Sequence, residues 1–203
     1  MLVKNMKCLV VTTHPLSKSL CKLLTQHVVS KLTSMKHKVV IEDLYAEKFE
    51  PVLTVAERKT YYSGSYDSSN ISVEVKKLQE AEAIVLLFPT WWFSFPAILK
   101  GWFDRVWGPG IAYDHANDLG LIKPRLYNLR KVLVVTTLGA PWWVDRLIMW
   151  QPVKRVVKVA LLGACAKKST LKYLSLYNSE KLNEESIARF QYKIDKALND
   201  WGQ

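Results

Sequence analysis

The feature that most constrains this chain is residues 83–88, AIVLLF, an apolar run without alternation. A strand with one wet face alternates apolar and polar residues. An unbroken aliphatic run therefore marks a strand buried on both faces, as in a parallel sheet covered by helices. Two further runs, 7–12 and 38–43, flank a segment with helical spacing at 19–32 and read as a β-α-β unit. A fourth run at 131–137 follows a helix-like segment at 96–106 and a long loop at 107–130, and Pro96 suits the first helical turn. Residues 169–176 alternate and suit an edge strand, while 186–201 carry the pattern of an amphipathic helix. Strands and helices in this succession imply an α/β fold with a doubly wound parallel sheet.

A chain of 203 residues is sufficient for one such core, so a single domain over residues 1–203 is expected. No stretch reaches the roughly 18 consecutive apolar residues of a membrane span. The N-terminal apolar run has no small-residue cleavage site and continues into a turn and helix, so it reads as the first strand. Three distant cysteines, Cys8, Cys21 and Cys165, with no C-x-x-C pair, suit a reducing cytoplasm and suggest no metal site. The net charge of +11 calls for an anionic partner: a nucleic acid, a membrane surface, or an anionic cofactor or cosubstrate. No nucleic-acid motif is present. The densest basic cluster, Lys154, Arg155 and Lys158, lies in an apolar stretch, where a solvated helix face is favoured over contact with a membrane surface.

Ligands of such sheets bind outside the carboxyl ends of the strands, which singles out the loops at 13–19, 89–95 and 138–143. In the first, TTHPLSKSLC, Ser17 or Ser19 can cap the next helix and leave its free N–H groups to attract phosphate, with His14 and Lys18 as further donors. An ordinary capped helix beside a surface histidine explains the same residues equally well. The second loop carries Trp91, Trp92, Phe93 and Phe95 where a strand has just ended. A flat aromatic ligand accounts for them, and packing against helices or a second subunit is the competing reading. Residues 63–70 read as a mobile surface loop. His27 and His37 are assigned to surface or helix positions without a role, and Cys8 to the core.

The stretch FPTWWFSFPAILKGWFDRVWGPGIAY resembles the signature of the flavodoxin-like NAD(P)H quinone oxidoreductases of the DT-diaphorase and modulator of drug activity B type. The T-x-H-P at 12–15 and the D-L-Y-x-x-x-F-x-P at 43–51 agree in order and spacing, so the resemblance runs from the first strand to about Gly139 and is loose beyond. It implies a flavodoxin-like five-stranded sheet of order 2-1-3-4-5 and a bound flavin, FMN or FAD, with FMN favoured by the shorter C-terminal part. His14, Ser17, Ser19, Leu20 and Cys21 would face the phosphate or pyrophosphate. Pro89, Thr90, Trp91, Trp92 and Phe93 would line the isoalloxazine, and Thr137, Leu138 and Gly139 would approach its pyrimidine edge. NADPH or NADH would deliver a hydride, which passes to a quinone or other small flat electron acceptor.

Residues 108–115 match the family's dimer-interface segment, in which Tyr113 and His115 would reach toward the neighbouring subunit's flavin. A packed interface tyrosine is an equal reading of Tyr113, and a homodimer follows from either. The chain departs from the family at Leu20 and Cys21, where many relatives have phenylalanine and asparagine. It also departs at TTLGAPWW, which lacks the catalytic tyrosine and histidine of the animal enzymes. The proton donor is then Tyr113, His115 or solvent, and Trp142 and Trp143 form either a lid or packing for the next helix. Two other classes stand beside the enzyme. One is an electron-carrying flavodoxin, disfavoured by the basic charge and the tryptophan-rich loop. The other is a flavin-binding regulatory subunit docked on a membrane transporter, which the basic apolar segment 146–162 leaves open.

Overall fold

The five apolar runs pair side by side in the computed structural model, which describes residues 5–116, 120 and 122–201. In chain order the elements begin with β1 (Lys7–Thr12), α1 (Leu20–Ser34), β2 (Lys38–Asp43), α2 (Val55–Thr60), α3 (Ser72–Glu80), β3 (Ala83–Pro89) and α4 (Ala97–Val106). A hairpin of β4 (Tyr113–Asp114) and β5 (Lys123–Pro124) leads to β6 (Lys131–Thr137). There follow a π-helical turn Val144–Ile148 and a helix made of α5 (Pro152–Arg155), the π-helical Val156–Leu162 and α6 (Gly163–Cys165). β7 (Thr170–Leu176) and α7 (Glu184–Asn199) close the fold. The sheet runs β2-β1-β3-β6-β7, all parallel, which is 2-1-3-4-5 when only its own strands are counted.

Alternate strand residues feed two cores. Leu9, Val11, Ile84, Leu86, Val132 and Val134 meet α3, α4 and the 153–162 helix on one face. Cys8, Val10, Val85, Leu87, Leu133 and Val135 meet α1 and α7 on the other. Every residue of β3 is buried, which is why its sequence does not alternate, whereas the edge strand β7 is mostly half-exposed.

Several expectations need correction. Pro96 is the N-cap of α4 with extended ψ of 144°, so the helix starts at Ala97. A ring without an N–H is equally well tolerated there, just outside the first turn. Residues 63–70 lie mostly at the surface as expected, with one inward contact: Tyr66 donates its hydroxyl to the Arg105 carbonyl at 3.0 Å and lies against Gly108, ahead of the short helix Ser69–Ile71 that buries Ile71. His37 is buried, accepts the Met6 N–H on Nδ1 at 3.3 Å, and has its pKa held down by burial. His27 does sit on a helix, where it pairs with Asp195 of α7 at 2.9 Å. Cys8 lies in the core as expected.

Candidate functional site

The loop after β1 is anchored by the Thr13 N–H, which donates to the Leu87 carbonyl of β3 at 3.0 Å, and by the Thr12–Thr25 hydroxyl pair at 2.9 Å. Ser19 is the cap of α1: its Oγ accepts the Lys22 N–H at 3.3 Å, and the N–H groups of Leu20 and Cys21 in the first turn have no intrahelical acceptor. The Leu16 N–H donates to His14 Nδ1 at 3.1 Å, so the ring proton sits on Nε2, which is free to donate. Ser17 is exposed, while Leu20 is half-buried against the α1 and α7 core. The Cys21 side chain points inward, 3.8 Å from Thr12 Oγ1, and burial pushes its thiol up despite its hydrogen bonds with Thr12 and the Thr13 carbonyl. Cys21 therefore offers this end only its backbone N–H. Thr13 Oγ1 is buried and has no partner among the described residues.

Beside this loop, β3 ends at Pro89, and the Thr90 N–H donates to the Thr137 carbonyl of β6 at 2.8 Å while the Thr90 and Thr136 hydroxyls hydrogen-bond. Trp91 and Ser94 then exchange both backbone hydrogen bonds, at 3.2 and 2.9 Å, closing a two-residue turn. Its central residues have φ of +50° at Trp92 and +54° at Phe93, the left-handed region of a type I′ turn, which favours glycine or asparagine. For side chains with a Cβ this region costs about 1–2 kcal/mol per residue. Trp92 is 97% exposed and Trp91 also faces solvent, with Phe93 half-buried. Phe95 turns inward between Phe88 and Phe103, with ring centroids 5.5 and 5.2 Å away. Packing within the chain thus accounts for Phe95 and not for the two tryptophans.

The third loop leaves β6 with Thr137 and Leu138 buried and Gly139 exposed. It is bound to the end of β7 by the Leu138 N–H to the Leu176 carbonyl at 2.8 Å and the Ser179 N–H to the Leu138 carbonyl at 2.9 Å. Trp142 and Trp143 are each about half exposed. These contacts bring the three predicted loops to one edge of the sheet.

Tyr113 and His115 do not join them within the chain. They lie on and just after β4, packed against the end of α2, where the Tyr113 hydroxyl donates to that of Tyr61 at 3.1 Å and His115 Nε2 faces the Tyr61 carbonyl at 3.2 Å. Burial, reinforced by that bond, raises the Tyr113 phenol. Tyr113 opens instead onto a groove of about 310 Å³ shared with Phe95, Phe103 and Trp107.

Sequence reasoning missed what positions the tryptophan loop. Gly101 of α4 lies against Pro51: a Cβ there would stand 2.2 Å from the Pro51 carbonyl oxygen. Trp102 donates Nε1–H to the buried Glu42 at 2.9 Å, and Arg105 pairs with Glu57. One signal was available, the T-x-x-E of a capping box at Thr54 and Glu57, which does cap α2. Much of the long signature is thus scaffold that docks α4 against residues 42–57.

Known proteins match this architecture. The chain is 33% identical over 150 residues to NAD(P)H dehydrogenase (quinone) 1 of Cavia porcellus, covering 66% of this chain and 54% of that protein. It is 36% identical over 152 residues to the human ribosyldihydronicotinamide dehydrogenase (quinone), covering 66% of this chain and 64% of the relative. The chain therefore spans somewhat more than half the length of these curated relatives. Among solved structures, Smu.1420 from Streptococcus mutans superposes with a TM-score of 0.82 at 28% identity, over 96% of this chain and all of the other. An NAD(P)H:quinone oxidoreductase from Methanothermobacter marburgensis shares the fold with a TM-score of 0.79 at 23% identity, over 95% of each chain. Residues 6–203 match the family described by the flavodoxin-like fold, and to that family the chain belongs.

Proposed function

We propose that this chain is a flavin-dependent NAD(P)H oxidoreductase that passes two electrons from a nicotinamide to a quinone or similarly flat acceptor. The observation that carries the reading is the strained turn at the end of β3, which holds Trp91 and Trp92 out toward solvent beside a helix N-terminus. Left-handed tryptophan and phenylalanine persist where the surrounding structure and a function require them. Relatives named as quinone-linked NAD(P)H dehydrogenases support the assignment of chemistry.

The residues present fit a flavin. The Leu20 and Cys21 N–H groups and His14 Nε2–H provide donors for a phosphate, and the orphaned Thr13 hydroxyl lies in the same loop. Gathered at one helix end, these donors suit the single phosphate of FMN, the flavin we assign. Trp91, Trp92 and Phe93 exclude water from one face of a flat ring, and the segment 137–139 borders the adjacent edge. When bound, the flavin supplies hydride acceptance and return. Tyr113 keeps its phenolic proton and, where that proton turns from the Tyr61 hydroxyl, acts as a donor toward the site of a second subunit in a cytoplasmic homodimer. His115 Nε2 donates to the Tyr61 carbonyl at 3.2 Å, which sets the orientation of its ring.

The test is to reconstitute stripped protein with FMN and with FAD, bleach the flavin anaerobically with NADPH or NADH, and add a benzoquinone. Bleaching with full recovery supports the reading and identifies the flavin and the nicotinamide. Failure to bind either flavin defeats it, and binding without any response to nicotinamide reassigns the chain to electron carriage.

A further inference from the structure

The loops that follow β1, β3, β6 and β7 cover residues 13–19, 89–95, 138–143 and 177–183, and together they contain a single carboxylate, Glu180. The same loops carry His14, Lys18 and Lys181, in a chain of net charge +11. A lone acid in such surroundings has cations to choose from, yet Glu180 has neither an ion pair nor a hydrogen bond among the described residues. Sequence reasoning singled out the first three loops and not the fourth, which carries it.

Backbone contacts fix the fourth loop against the third. The Ser179 N–H donates to the Leu138 carbonyl at 2.9 Å and the Asn178 N–H to the Ala140 carbonyl at 3.3 Å. Asn178 has φ of +52°, in the left-handed region that asparagine tolerates. Tyr177 tethers the loop from the other side, its hydroxyl donating to the buried Asp145 at 2.8 Å. Glu180 then lies against Gly139: a Cβ on that glycine would stand 3.2 Å from Glu180 Oε1 and 3.7 Å from its Cδ. With no side chain at 139, the carboxylate comes up to the backbone of the segment that borders the edge of the flavin. The 138–143 loop itself has no ionisable side chain.

We propose that Glu180 lowers the reduction potential of the bound flavin by holding a negative charge beside the edge where reduction adds another. The inference rests on the oxidoreductase reading. Accepting a hydride brings the flavin two electrons and one proton, so its net charge falls by one unit. The flat acceptor later takes the same hydride and draws its second proton from solvent. A carboxylate held nearby opposes the added charge and has little effect on the neutral oxidised ring. Reduced flavin is then held more weakly than oxidised flavin, and its hydride is given up more readily to acceptors of low potential.

The experiment is a potentiometric titration of the full chain reconstituted with FMN, with affinity for oxidised FMN measured alongside by fluorescence quenching. Glu180→Gln should leave that affinity unchanged and tighten the hold on reduced FMN roughly fivefold, the effect of one unit charge a few ångströms away in a watery setting. For a two-electron couple this raises the midpoint by about 20 mV. The difference should shrink as salt is raised. Glu184→Gln makes the same charge change at an exposed position in the first turn of α7 and should leave the midpoint where it is. An unchanged or lowered midpoint in Glu180→Gln, or an equal rise in Glu184→Gln, overturns the inference while flavin binding stands. Failure of the wild type to bind flavin overturns it together with the reading on which it rests.

Discussion

Arg105 and Glu57 meet inside the protein: guanidinium Nε and Nη2 both donate to Glu57 Oε1, at 2.9 and 2.8 Å, with only 4% and 2% of the two side chains exposed. The remaining guanidinium nitrogen Nη1 donates to the Glu50 carbonyl, so one side chain ties α4 to the turn before α2 and to α2 itself. Burial alone would raise the Glu57 carboxyl. The hydrogen bonds from Arg105 and from Thr54 outweigh it and hold the group below its ordinary 4.5. Arg105→Met strands a buried carboxylate and should cost about 3–5 kcal/mol in urea unfolding at neutral pH. A depressed acid contributes stability above its unfolded value that is lost as pH falls through the folded one. The gap between wild type and Arg105→Met should therefore narrow in the acid range below 4.5.

Glu42 titrates in the opposite sense. It is fully buried, Oε1 accepts the Trp102 Nε1–H at 2.9 Å, and Oε2 has no partner among the described residues. Burial pushes its carboxyl up to about 7, with Lys77 and the Trp102 bond offsetting only part of the effect. Between its unfolded value of 4.5 and about 7 the unfolded chain loses this proton while the folded chain keeps it. Stability should then fall across that window and level off above it, by at most on the order of 3 kcal/mol. Glu42→Gln should flatten the slope in urea unfolding between pH 5 and pH 8. A wild-type slope that persists in the variant would place the titrating group elsewhere.

These two pairs also show where the sequence was legible. The strands could be read because burial on both faces removes alternation over a whole run, a local signal, and β1, β2 and β6 fall on their expected residues. The three loops followed from the strands. Arg105–Glu57 and Trp102–Glu42 join residues 48 and 60 positions apart, and no local pattern encodes such pairings. His37 was misread for the same reason, since its burial comes from the strand that begins beside it. α2 and α3 escaped because each is short; the basic cluster 154–158 was read on a helix, but its π-helical turns, which follow no 3.6-residue period, were not. At the site, the aromatic residues were visible, but the division between inward Phe95 and outward Trp92 depends on backbone handedness that only the turn reveals.

Gly101 should be intolerant of any side chain. A Cβ would stand 2.2 Å from the Pro51 carbonyl oxygen and 2.4 Å from the Pro51 Cβ, so either α4 or the 50–51 segment must move. Gly101→Ala raises helix propensity, which by itself would stabilise by about 1 kcal/mol. Overpacking against backbone outweighs this, and the expected net loss is about 1–3 kcal/mol in thermal unfolding. A stabilised variant would mean that α4 stands off from Pro51 in solution.

Trp92 sets stability against binding. Its side chain is almost fully exposed, so removing it forfeits little packing, while its φ of +50° is costly for a large residue and easy for asparagine. Trp92→Asn should therefore stabilise the flavin-free protein, by about 0.5–1 kcal/mol in thermal or urea unfolding. Flavin affinity, followed by quenching of flavin fluorescence, should fall at the same time, because asparagine offers no ring to stack. The two effects have opposite signs only if the tryptophan is kept for its ligand rather than for the fold. If the variant loses stability and binds flavin unchanged, the turn is structural, and the observation on which the proposed function rests is withdrawn.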